Sequence, residues 1–274
     1  MAPRKKKSTK KSKSTVVAKR KKAQLPTGPT DYGDDADAGF ENMGREEFAI
    51  PFLRVLQKMS KECERGSGIE GAEDGVIYNT VTQKCYGEVA VVPCHRSHTF
   101  IEWIPREAGG GLVDVHDPGS DVVRAAKEEH GAFGKLVLDN GHELQETYSI
   151  FALQLLDSDA YEQVIINFAS TQIKAYKQWM TRASGVLVKQ SDGRNVRPPL
   201  FAHKYRLSTI EQRNDKGVWS VFQSEFANGG ADEARLATDS ELYLAARSFR
   251  LAAKEFAADS LKRTGQDDQE SDEM

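Results

Sequence analysis

TYSIFALQLLDSDAYEQVIINFASTQIKAYKQWM, residues 147–180, is the stretch on which the fold turns. Its first two thirds hold two apolar runs, TYSIFALQLL and YEQVIINFAS, rich in β-branched and aromatic side chains. Asp157-Ser158-Asp159 lies between them, so the runs predict an antiparallel hairpin. The period then changes. Ile173, Tyr176 and Met180 recur at helical spacing, with Ser170 or Thr171 as the expected N-cap and Gly185 as the expected end.

Working outward, IPFLRVLQKM is a compact apolar segment, followed by strand-like runs at VIYNTVT, KCYGEVAVVPC, HTFIEWI and GLVDV. KEEHGAFGKLVLDNGHEL reads as a short helix and then a hairpin edge at Asn140-Gly141. Beyond the loop KQSDGRNVRPP, the runs LFAHKYRLSTIEQ and VWSVFQSEF predict a second hairpin across residues 213–217. A long helix follows, capped by Thr238 or Asp239, with Leu242, Ala246, Phe249, Ala253 and Phe256 on one stripe. The fold class is therefore mainly β with added helices (α+β). The expected architecture is a small antiparallel barrel or sandwich with one inserted helix and one C-terminal helix, a description met by a five-stranded Greek-key barrel of the oligonucleotide-binding (OB) kind. Residues 1–47 read as a disordered basic arm and linker, 48–262 as a single domain, and 263–274 as a disordered acidic tail.

Charge is distributed very unevenly. The formal net charge is −3, yet residues 1–22 hold eleven Lys or Arg and no acid, and the remainder carries 27 bases against 41 acids. An acidic body repels polyanions and needs a local basic island to hold one. Residues 172–213 are such an island, with nine bases (Lys174, Lys177, Arg182, Lys189, Arg194, Arg197, Lys204, Arg206, Arg213) against Asp192 and Glu211. Tyr176, Trp179, Phe201 and Tyr205 are interleaved with them. A sequence-tolerant binder of single strands needs cations for phosphates and flat rings for bases. Tyr176 and Phe201 are open to either a core or a stacking role. Trp179, one position off the apolar stripe and one turn from Arg182, is the better stacking candidate.

Other chemistry finds little support. Cys63, Cys85 and Cys94 are few and odd in number, which fits a reducing compartment. Cys85, Cys94, His95 and His98 contain no Cys-x-x-Cys pair, so zinc is not expected. Asp114, His116 and Asp117 read as a polar turn rather than a metal site. Gly109-Gly110-Gly111 lacks the Lys-Ser/Thr of a phosphate loop, and no nucleophile elbow or His-Glu-x-x-His occurs. The expectation is a protein that is not an enzyme and uses no cofactor and no metal. There is no apolar run that spans a bilayer and no secretory signal, so no membrane partner is expected. Asp267, Asp268, Glu270, Asp272 and Glu273 form an acidic end suited to competing for the island or docking on basic proteins.

With these features in view, the chain resembles the bacteriophage single-stranded DNA-binding proteins of the T7-like type. GVIYNTVT, EWIPREAGGG and STQIKAYKQW through PPLFAHKYRLST carry the likeness, over roughly residues 48–274. The resemblance implies an OB barrel with an acidic C-terminal tail, and a role in protecting and organising single-stranded DNA in replication and recombination. It transfers ligand contacts to Lys174, Lys177, Trp179, Lys204, Tyr205 and Arg206. This chain departs from the pattern in ending at Met274 rather than an aromatic residue, and in its lysine arm. The expected strand-binding set is Lys174, Tyr176, Lys177, Trp179, Arg182, Lys189, Arg194, Arg197, Lys204, Tyr205 and Arg206. Expected partners are single-stranded DNA, duplex DNA through the arm, and replication or recombination proteins through the tail, in the host cytoplasm; a homodimer is compatible. The alternatives are a virion-associated or structural protein whose arm neutralises DNA and, third, a metal-dependent nuclease.

Overall fold

The structure is a computed structural model that describes residues 49–131, 136–156, 160–215 and 217–270, with side chains as far as Glu255. The basic arm therefore lies outside the described residues. The elements are β1 (Phe52–Val55), β2 (Ile77–Asn79), β3 (Cys85–Tyr86), β4 (Val89–Trp103), β5 (Leu112–His116), α1 (Asp121–His130), β6 (Leu136–Val137), β7 (Glu143–Leu155) and β8 (Tyr161–Ala169). They continue as α2 (Ile173–Ser184), β9 (Val188–Lys189), β10 (Asn195–Val196), β11 (Tyr205–Asn214), β12 (Gly217–Phe226) and α3 (Glu241–Glu270).

The predicted hairpins are both present. β7 and β8 pair antiparallel from Thr147↔Ala169 to Leu155↔Tyr161, although the turn at 157–159 lies outside the described residues. β11 and β12 pair from Tyr205↔Phe226 to Asn214↔Gly217. The runs KCYGEVAVVPC and HTFIEWI differ from expectation: most of both belongs to β4, a single 15-residue strand. A bulge between Pro93 and His95 lets the proline, which has no N–H to donate, sit inside it.

The sheet is larger than the expected five-stranded barrel. It has ten strands, running β12-β11-β4-β7-β8-β1-β2-β3 with β5 on β4 and β6 on β7, and it curls into a half-barrel. Both of its faces are covered. Ile150, Ala152, Val164 and Ile166 pack with Tyr176 and Trp179 of α2, whereas Phe151, Leu153 and Ile165 pack with Ala246, Phe249 and Ala253 of α3. Successive strand residues point to opposite faces, so a sheet covered on both sides reads as an unbroken apolar run. At the far end of β4 and β7, Val123 and Ala126 of α1 close a smaller core with Phe100, Leu136 and Leu144.

The open edge of β12 is covered by side chains. Gln57 accepts from the Ser220 N–H at 3.0 Å and donates to the Ser220 carbonyl at 2.9 Å. Gln172 accepts from the Phe222 N–H at 3.0 Å and donates to the same Ser220 carbonyl at 3.2 Å. These amides substitute for a neighbouring strand and protect an edge that would otherwise pair with another chain. Gly75 closes the same corner. It has φ +85°, and a Cβ there would sit 3.0 Å from the Ser220 Oγ.

Candidate functional site

The island is built around α2. The helix is entered through a 3-10 turn at Ser170–Gln172, and no side chain caps it, contrary to the expected Ser170 or Thr171 cap. Burying Tyr176 and Trp179 against the sheet leaves Lys174, Lys177, Gln178, Thr181 and Arg182 exposed. Spacings of three and four residues place these side chains on one face of the helix.

The rings are not available to bases. Trp179 is 1% exposed and Tyr205 is 1% exposed. The Trp179 ring meets Tyr205 edge-on at 5.4 Å and Phe168 at 6.1 Å. Tyr176 and Phe201 are also core residues, in the α2 and α3 layers respectively. Burial pushes the Tyr205 hydroxyl well above the usual tyrosine range. The expectation that Trp179 stacks on a ligand is thereby overturned. The stripe facing the sheet runs through Tyr176 and Trp179, a rotation of the helix that the Ile173–Tyr176–Met180 pattern does not reveal. Tyr148 is a half-buried ring of the region, but both its faces are occupied. His98 stacks on one side at 4.2 Å and Tyr176 on the other at 4.4 Å. Its hydroxyl is pushed up to about 12, first by burial and then by its hydrogen bond to Glu146.

The cations divide into two groups. Arg194 pairs with Asp192 at 2.6 Å, Arg206 with Glu225 at 2.7 Å and Arg213 with Glu211 at 3.6 Å. Arg182 donates to the carbonyl of Ser224 and to its hydroxyl, extending the cover on the β12 edge. Arg197 donates to the Ser184 carbonyl at 2.9 Å. Among the described residues, Lys174, Lys177, Lys189, Lys204 and Arg96 make no ion pair; the first three and Arg96 are exposed, and Lys204 is half-buried.

Two grooves flank α2. The first, of about 800 Å³, runs between α2 and the β11–β12 hairpin and holds Lys174, Lys177 and Arg182. The second, of about 650 Å³, lies on the other flank and holds Arg96, Lys177 and Arg197 beside Tyr148, Met180, Pro198 and Leu200. Among the described residues, neither groove is lined by a carboxylate. A third hollow, around Arg182 and Arg206, also contains Glu88 and Glu225 and is electrostatically mixed. Thus Lys174, Lys177 and Arg182 share the first groove and Lys177 and Arg197 the second, whereas Arg194 and Arg206 are paired with acids. Lys189 and Lys204 line neither groove. Arg96 is the residue that sequence reasoning missed. It lies far upstream in CHRSH, and only the pairing of β4 with β7 brings it near α2.

The metal-like patterns disperse. Cys94 is buried with the α3-side core, and burial pushes its thiol up to about 12. His95 lies against Phe151, and His98 on Tyr148. His116 does not join Asp114; it donates to Glu102 at 2.7 Å, and His142 donates to the other oxygen of the same carboxylate at 2.6 Å. Burial pushes the Glu102 carboxyl up, but the hydrogen bonds from His142, His116 and Asn140 together outweigh it and hold it below its ordinary value. Among the described residues, no three His, Cys, Asp or Glu side chains are placed to hold a metal ion.

At the C-terminus, α3 continues to Glu270, into the 263–274 segment expected to be a disordered tail. The backbone of Asp267, Asp268 and Glu270 is therefore helical, while their side chains, and Asp272 and Glu273 entirely, lie outside the described residues. Among the described residues, no helix is long and apolar enough to cross a membrane.

A family model described as Pam3 phage gp34-like protein matches residues 19–258. No curated protein matches the chain, and no solved structure does.

Proposed function

The chain belongs to the Pam3 phage gp34-like family, and from that premise we propose that it is a phage single-stranded DNA-binding protein that grips the strand along the two grooves beside α2. The observation that carries this reading is that, among the described residues, no carboxylate lines either groove, in a body whose acids outnumber its bases. Cations on such surfaces attract phosphates, and their affinity falls steeply with salt. The grooves also present apolar area, through Ile210, Val221 and Phe222 in one and Met180, Pro198 and Leu200 in the other. A single strand offers base faces to such area, whereas a duplex hides them. The protein acts by binding, without a reaction of its own, in the host cytoplasm during replication or recombination. Its basic arm adds affinity for duplex DNA.

The test is binding of full-length protein to single- and double-stranded oligonucleotides across a salt series. Wild type prefers the single strand. Lys174→Gln with Lys177→Gln removes two phosphate contacts and should lower the single-strand salt slope by about 1.4. An unchanged slope in the folded double variant would place the strand elsewhere.

A further inference from the structure

The first groove has two chemically different walls. Among the described residues, all its charge is on α2, in Lys174, Lys177 and Arg182. The β11–β12 wall has no charged lining residue among them; it offers Ile210, Gln212, Val221, Phe222, Gln223 and Ser224. Ile210 is 42% exposed and paired with Val221, and Gln212 is paired with the half-buried Trp219. Paired residues of antiparallel strands point to the same side, so Trp219 flanks the wall that Gln212 lines.

A polynucleotide strand has the same asymmetry, with phosphates along one edge and bases along the other. We infer that the strand lies in the first groove in one rotational setting, its phosphates on α2 and its bases on the β11–β12 hairpin, where Ile210 contacts base faces and the Gln212 amide hydrogen-bonds base edges. The inference rests on the reading of the groove as a single-strand site. An amide has both donors and an acceptor, so Gln212 can serve any base, and the contact adds affinity without demanding a sequence. It assigns base contact to the hairpin, away from the buried rings of α2.

The experiment compares a ~20-nucleotide dT strand with an abasic strand of equal length, which keeps the phosphates and lacks the bases. Wild type should bind dT about tenfold more tightly. Ile210→Ser with Gln212→Ala, at an exposed and a half-buried position of the hairpin, should bring the two strands to near-equal affinity while leaving the salt slope unchanged. Lys174→Gln with Lys177→Gln should weaken both strands alike and keep the preference. Quenching of tryptophan fluorescence by dT should be lost in Trp219→Phe. If the wild-type preference persists in the Ile210/Gln212 variant, or if wild type binds the two strands equally, the inference is overturned while the groove remains a phosphate site. No binding of either strand by wild type would overturn the proposed function and this inference together.

Discussion

Trp179 shows how burial reassigns a side chain. With its ring enclosed by Phe168 and Tyr205, truncation leaves a cavity, so Trp179→Ala should destabilise the protein by about 3–5 kcal/mol in denaturant unfolding. The indole N–H has no partner among the described residues, so Trp179→Phe should cost distinctly less, since it removes an unpaired donor with part of the ring. A stable, folded Trp179→Ala protein with lost DNA affinity would return the ring to the ligand. Glu102 supports a second expectation. Its carboxyl is held below the ordinary value in the folded state, so its stabilisation is present above about pH 4.5 and is lost as pH falls through the folded value. Glu102→Gln should therefore flatten the acid limb of the stability–pH curve, measured as unfolding midpoints from neutral to acid pH. A limb as steep as wild type's would show that other carboxylates control it.

Among the elements, α2 has two jobs that compete for the same few residues. Gln172, at its entry, and Arg182, near its end, cover the edge of β12, while Lys174 and Lys177 between them face the grooves. Gln172→Leu leaves the Phe222 N–H without its acceptor, and should cost about 1–3 kcal/mol. The same variant should raise amide exchange along β12 and promote self-association through the exposed edge, read by light scattering. Loss of stability without faster exchange at β12 would mean that Gln57 and Arg182 keep the edge closed without it.

For the molecule as a whole, the question is how the two charged ends act on an acidic body. Deleting residues 1–22 removes eleven positive charges and should reduce duplex affinity and its salt slope more than the preference for single strands. Titration of both ligands by the truncated protein decides this. If the single-strand preference disappeared with the arm, the grooves beside α2 would not be the site. The acidic end is a different matter. A tail that competes for the grooves needs a flexible tether, but the backbone is helical to Glu270. A 30-residue helix spans about 45 Å, so the acids up to that point are carried on a rod instead of searching a volume. Gly265 costs about 1 kcal/mol within that helix and does not end it.

The sequence by itself determined both hairpins, because turn residues between β-branched runs are a local signal. It determined α2 and its end at Gly185, and it determined that an island of bases interrupts an acidic chain. It also held an unused clue to the layers: SIFALQLL and VIINF do not alternate, which already implies a sheet covered on both faces. Tertiary structure alone decided the rest. Which face of α2 turns inward depends on the sheet beneath it, so Trp179 and Tyr205 were legible as aromatic but not as buried. Which bases remain unpaired depends on acids brought close by strand register, as Glu225 is to Arg206 across β11 and β12. Arg96 joins Lys177 and Arg197 only because β4 pairs with β7 beneath α2. Local pattern fixes what each segment is. A binding surface is made of residues from segments that meet only when the sheet assembles, and no local pattern encodes that meeting.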